Sequence, residues 1–176
     1  MSDAPTPESI IPRNVAPSGF AEHVFERSRP LGVDRAGLWR WLNTPETFTR
    51  QVWPYRVEFV EGTGVHGGGG FEVGTLNTHH GPFLNCSGVI TRTDETEGVR
   101  DLHYFYGAFI VSPRLIRPRR LLFTLTGEPD NAHLKLRVEC DVKPWVAGVW
   151  TGLQSMFWSS FFGSARRGAI KAARSA

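Results

Sequence analysis

Cysteine is scarce in this chain, and the little there is has no useful spacing. Cys86 and Cys140 are the two cysteines in 176 residues, which excludes a disulfide framework and a thiolate metal site. Each falls in a strand-like run, so both are expected as buried, reduced thiols of a cytoplasmic protein. An excess of one charge is also lacking. Twenty Lys and Arg against 17 Asp and Glu leave +3, no nucleic-acid module is present, and no nucleic-acid partner is expected. The opening stretch "MSDAPTPESIIPRNVAPSG" has no apolar h-region, so no signal peptide is evident. Its Pro and Ser content reads as a flexible lead-in over residues 1–18, ahead of one domain over 19–176.

Catalytic signatures are missing as well. The glycine run "GTGVHGGGG" is not followed by G-K-[ST], and Phe71 is expected to begin a strand after it. Neither a phosphate loop nor a dinucleotide fingerprint survives that test. The run reads instead as a permissive hairpin connection, with a lid at a cavity mouth as one use for it. No H-E-x-x-H, no nucleophile elbow and no supported carboxylate pair appears, so no metal and no cofactor is expected.

The last absence shapes the reading most. Between Pro144 and Ala165 there is no charged side chain, and Arg166 and Arg167 follow at once. The run is long enough to span a bilayer, and Gly148 and Gly152 form a G-x-x-x-G. Thr151, Gln154, Ser155, Ser159 and Ser160 oppose insertion. The period here is 3.6, with Val146, Val149, Trp150, Leu153, Phe157 and Phe161 on one stripe and small residues opposite. The segment is therefore expected to be a long helix over 145–173 that covers other apolar surface.

What needs covering lies upstream. "FAEHVFERSR", "YRVEFVEG", "FEVGTLNTHH", "LNCSGVITRTD", "RDLHYFYGAFIV", "RRLLFTLTG" and "AHLKLRVECDV" read as seven strands. Short turns separate the last five, as in an antiparallel meander. In the seventh, Leu134, Leu136, Val138, Cys140 and Val142 alternate with polar residues, giving one buried and one wet face. Between the first two strands, Asp34 can cap one short helix and Thr44-Pro45-Glu46 can start another. A sheet with one apolar face needs a cover, and the terminal helix is the element long enough to provide it.

This order, with "FERSRPLGVDRAGLWRWLNTPETF" as strand and helix pair and "YRVEFVEGTGVHGGGGFEVGTLN" as strand, loop and strand, resembles the START-like or SRPBCC superfamily. That group includes polyketide cyclases, lipid-transfer domains and birch-pollen-allergen-like proteins. The resemblance implies an α+β helix-grip fold: a curved seven-stranded antiparallel sheet, two short helices after strand 1, and a long C-terminal helix. It also implies an apolar ligand cavity between sheet and helix. Binding, and in some cases transfer, of a hydrophobic small molecule or lipid is the function it suggests, with a cyclase or aromatase-type enzyme as the alternative.

The expected cavity wall comprises Trp53, Tyr104, Tyr106, Phe123, Leu136, Trp150, Leu153, Phe157 and Phe161. Gln154 and His79 are candidates for orienting a polar group. Should chemistry occur, His79, Tyr104 or Tyr106 would move the proton. Strand alternation places Tyr104 and Tyr106 on one face, with His103 and Phe105 on the other. Which face of strands 71–80 and 100–111 lines the cavity stays open, and on the reverse assignment Glu72, Arg92 and Glu139 would reach it. Leu115 and Ile116, among the arginines of the 112–120 loop, are candidates for transient contact with an anionic membrane.

Overall fold

Alternating apolar residues produce seven strands, and the chain pairs every one of them into a single antiparallel sheet. The computed structural model describes residues 16–51, 55–82, 84–109 and 112–174, without the side chains of residues 50 and 51. Most of the expected lead-in over 1–18, and Trp53, lie outside these residues. The strands are β1 (Ala21–Pro30), β2 (Arg56–Phe59), β3 (Leu76–Gly81), β4 (Leu84–Asp94), β5 (Val99–Phe109), β6 (Ile116–Glu128) and β7 (Asn131–Val142). Their order is β1-β7-β6-β5-β4-β3-β2. The first two strands therefore form opposite edges, and the segment joining them has to cross the whole width of the sheet.

That crossing contains helix α1 (Arg35–Asn43) and a π-helical turn (Thr47–Gln51). Asp34 caps α1 as expected, its carboxylate accepting from the Gly37 N–H. Thr44 does not cap the following turn. Its hydroxyl bonds back to the Arg40 carbonyl and closes α1. Strand β3 begins at Leu76 rather than Phe71, because residues 71–75 stay in the hairpin that holds the glycines.

Helix α2 (Ala147–Ala173), entered through a 3-10 turn (Pro144–Val146), lies across the apolar face. Its 27 residues reach about 40 Å. Trp150, Gln154, Trp158, Phe161, Phe162, Ala165 and Ala169 are its buried positions. The buried stripe is thus rotated from the expected one: Val149 and Leu153 face solvent, at 66% and 38% exposure. Gly148 and Gly152 make no close approach, since a methyl group added at either would meet nothing. The close approach is at Gly168, where a Cβ would lie 1.9 Å from the Trp41 indole of α1.

Edge strand β1 fastens the helix along its length. Arg27 donates to the Ser155 carbonyl at 2.7 Å and to the Ser159 hydroxyl at 2.6 Å. The imidazole of His23 bonds the Thr151 hydroxyl, and Arg166 reaches the Leu31 carbonyl. Hydrogen bonds from a charged donor are the stronger kind, about 1.5–3 kcal/mol each. No helix among the described residues is long and apolar enough to cross a membrane. The run lacks charge because one side packs on the sheet and Gly, Ser, Thr and Met occupy much of the other.

The outer face of the sheet is polar and paired. Arg120 holds Asp101 through two parallel bonds of 2.9 and 2.6 Å. Arg137 donates to Glu139 at 2.7 Å, and Arg119 bridges Glu22 and Asp141. Of the arginines in the basic 112–120 loop, two are therefore held by carboxylates. Ile116, expected at a membrane surface, is fully buried opposite Val142.

Candidate functional site

Strand β5 sets the inner wall. Arg100, Leu102 and Tyr104 alternate inward, with Asp101 and His103 outward toward Arg120 and Asp101 respectively. The alternation breaks immediately afterwards. Tyr104 pairs with Gly88 and Tyr106 with Ser87, so Phe105 is an extra residue with no partner across the ladder. This bulge reverses the parity of everything after it. Tyr106 turns outward at 72% exposure, and Phe109 turns into the cavity. The expectation that Tyr104 and Tyr106 share a face is thereby corrected. Gly107 permits the bulge: its φ is +125°, and an added Cβ would sit 2.3 Å from the Cys86 Cα.

Between sheet and helix lies a cavity of about 90 Å³. The sheet contributes His79, Ile90, Leu102, Tyr104 and Phe123, and the helix contributes Phe157, Trp158 and Phe161. Phe48 of the π turn and Phe71 of the glycine-rich hairpin close one side, their rings edge to face at 5.3 Å. The hairpin holds Phe71 there through its own bonds. The Glu72 carboxylate accepts from the His66 N–H, and the Val65 N–H donates to the Val73 carbonyl. Glu72 therefore serves its loop, while Arg92 pairs with Glu97 and Glu139 with Arg137.

Of the expected site residues, the structure brings His79, Tyr104, Phe123, Phe157 and Phe161 together around this cavity. Trp150 is buried one ring behind, its indole 5.1 Å from Phe109. Leu136 is buried beside Phe123 across the β6–β7 ladder, outside the lining. Gln154 is also buried and accepts from the Trp158 indole N–H at 2.7 Å, so it orients a wall residue without being one. Leu153 and Tyr106 are at the surface. Tyr106 lines a more open depression of about 460 Å³ on the outer face, with Arg117 and Asp141.

The polar groups inside are few. His79 Nε2–H donates to Asn77 Oδ1 at 3.0 Å, and its ring stands edge to face with Tyr104 at 5.4 Å. Burial, with Arg100 and His80 nearby, pushes the His79 pKa down to about 3. At neutral pH the imidazole is uncharged and a feeble base. Burial also holds the Tyr104 hydroxyl protonated, well above its ordinary titration range.

One wall residue stands apart: Arg100, only 4% exposed. Its guanidinium carbon lies 4.1 Å from the Phe71 ring centre, 4.7 Å from Phe123 and 5.0 Å from Phe48. It donates to the Leu42 carbonyl. Among the described residues no carboxylate pairs with it. Burial lowers its pKa to about 9, so it remains charged at neutral pH. The sequence carried a signal for it: Arg100 sits two and four residues before Leu102 and Tyr104, in register with the cavity face.

No family model and no curated protein sequence matches the chain. Solved structures do match. The Zhui aromatase/cyclase from Streptomyces sp. R1128 superposes with a TM-score of 0.64 at 8% identity, over 87% of this chain and 96% of that one. Norcoclaurine synthase from Thalictrum flavum, as a point mutant with a transition state analogue, gives 0.62 at 13% identity, over 86% and 96%. Ara h 8.0201 gives 0.61 at 17% identity, over 86% and 99%. The fold is the START-like helix grip. Bet v 1-like, synthase and cyclase proteins share this START-like architecture, and identities this low establish the fold alone.

Proposed function

We propose that the chain binds a hydrophobic small molecule between the sheet and α2. The observation that carries this reading is the cavity itself, walled by aromatic rings that enclose a few fixed polar groups. At about 90 Å³ it is smaller than the roughly 300–1,000 Å³ of most ligand pockets. A ligand of one or two rings suits it better than a long lipid.

The test is calorimetric titration with naphthalene and indole, comparing the native chain with Leu84→Trp, which fills the space from a partly accessible wall position. Binding to the native chain and at least about a tenfold loss in a folded variant support the reading. Equal binding by both would remove it. Mass spectrometry of small molecules that accompany the protein from its own cells would identify the natural ligand.

A second reading, a cyclase-type enzyme, draws on the His79–Tyr104 contact at the wall. An imidazole titrating at about 3 makes a poor proton carrier near neutral pH, so binding remains the better-supported conclusion.

A further inference from the structure

We infer that the ligand of this cavity is a planar apolar monoanion, an aromatic carboxylate, whose carboxylate is received by Arg100. The inference rests on the binding reading above and specifies the chemistry of its ligand.

A guanidinium carries five N–H donors in a rigid fork and never lacks a need for acceptors. Among the described residues one protein acceptor is supplied, the Leu42 carbonyl, and three phenyl rings surround the guanidinium carbon. Carboxylates of the sheet and the hairpin are spoken for elsewhere. Asp101 turns to the outer face and is held there by Arg120, Glu139 is held by Arg137, and Glu72 is bonded within its hairpin. A cation buried to this degree normally has an anionic partner. Here the described residues supply none, and the group lies on the wall of a cavity rather than in solid core.

The surroundings set the ligand's other features. Phe48, Phe71 and Phe123 around the guanidinium, with Phe157 and Phe161 also on the wall, favour a flat apolar body. His79 is uncharged and Tyr104 is protonated, so neither adds a second positive charge. One cation among the described lining residues matches a single negative charge. A phosphate dianion would leave one charge unbalanced in an apolar site. The folded protein already bears the desolvation of Arg100, so an anionic ligand adds only its own, whereas a neutral amide of the same shape offers the fork one acceptor oxygen and no charge to pair.

The experiment compares benzoate with benzamide and 2-naphthoate with 2-naphthamide, by calorimetry and by the shift in melting temperature. It uses the native chain, Arg100→Met and Arg100→Lys. For the native chain, the acid of at least one pair should bind at least about tenfold tighter than its amide and raise the melting temperature further. Arg100→Met should lose or reverse the preference, because the carboxylate then enters an apolar site with no cation to meet it, and Arg100→Lys should keep part of it. Should Arg100→Met not fold, the native comparison together with Arg100→Lys decides the matter. Equal affinity of the native chain for acid and amide would overturn the inference while leaving apolar binding intact. An acid preference that persists in folded Arg100→Met would place the anion elsewhere and overturn it too. Failure of all four compounds to bind would remove both this inference and the reading beneath it.

Discussion

Acidification offers a direct check on where His79 sits. In the folded protein its imidazole resists protonation until about pH 3, against an ordinary value of 6.5. The unfolded chain takes up the proton first as pH falls through 6.5, and the folded chain does not follow. Protons therefore favour the unfolded state, and stability is full above pH 6.5 and drains away toward pH 3. The loss approaches about 1.4 kcal/mol for each pH unit below 6.5, or about 2.5 kcal/mol at pH 4.5. Urea denaturation at pH 7.5 and pH 4.5 measures it, with His79→Gln as the reference. Glutamine cannot titrate but keeps an N–H for Asn77 Oδ1. Groups such as Asp101 and Glu26 titrate in both proteins and cancel in the comparison. The variant should lose less stability than the native chain by about that amount. Parallel losses in the two proteins would show that His79 charges freely, and the enclosed neutral imidazole would then be wrong.

Gly107→Ala should destabilise by at least about 2–3 kcal/mol in the same assay, since it places a Cβ against Cys86 at a positive φ. A neutral effect would mean the bulge is not built this way. Arg27→Met removes the bonds to Ser155 and Ser159 and should cost about 2–4 kcal/mol, with faster amide exchange in the first half of α2. Both thiols should resist Ellman's reagent at pH 8 until the protein unfolds, because burial pushes Cys86 up and Cys140 to about 12. Truncation at Pro144 strips the sheet of its cover and should abolish cooperative unfolding, as read by circular dichroism during a thermal melt.

The elements and their order were readable because each depends on near neighbours in the chain. Period-two runs marked β4 to the residue, period 3.6 marked α2, and Asp34 marked the start of α1. The inward side of β7 followed from its alternation alone. Four of the proposed wall residues, Tyr104, Phe123, Phe157 and Phe161, and the orienting candidate His79 meet around one cavity for the same reason. A strand or helix periodicity selects a face, and the covered face is the apolar one.

Where the faces shift, local pattern is silent. One extra residue at Phe105 reverses the strand, sending Tyr106 out and Phe109 in, and only the pairing with β4 shows it. The rotation of α2 that exposes Leu153 and buries Gln154 and Trp158 is set by Arg27 on one flank and by Trp41 against Gly168 on the other. Those contacts join residues more than a hundred positions apart. Arg100 shares the alternation of Leu102 and Tyr104, but the sequence left the inward face of this strand open, and a charge on a period-two face reads equally as solvent-exposed until the opposite wall is known. The sequence by itself determined the strands, the helices and their order, since propensity and periodicity act over a few residues. Tertiary structure alone decided which side chains surround the cavity and left a cation there without a carboxylate, because packing across the sheet chooses register and rotation after the local choices are made.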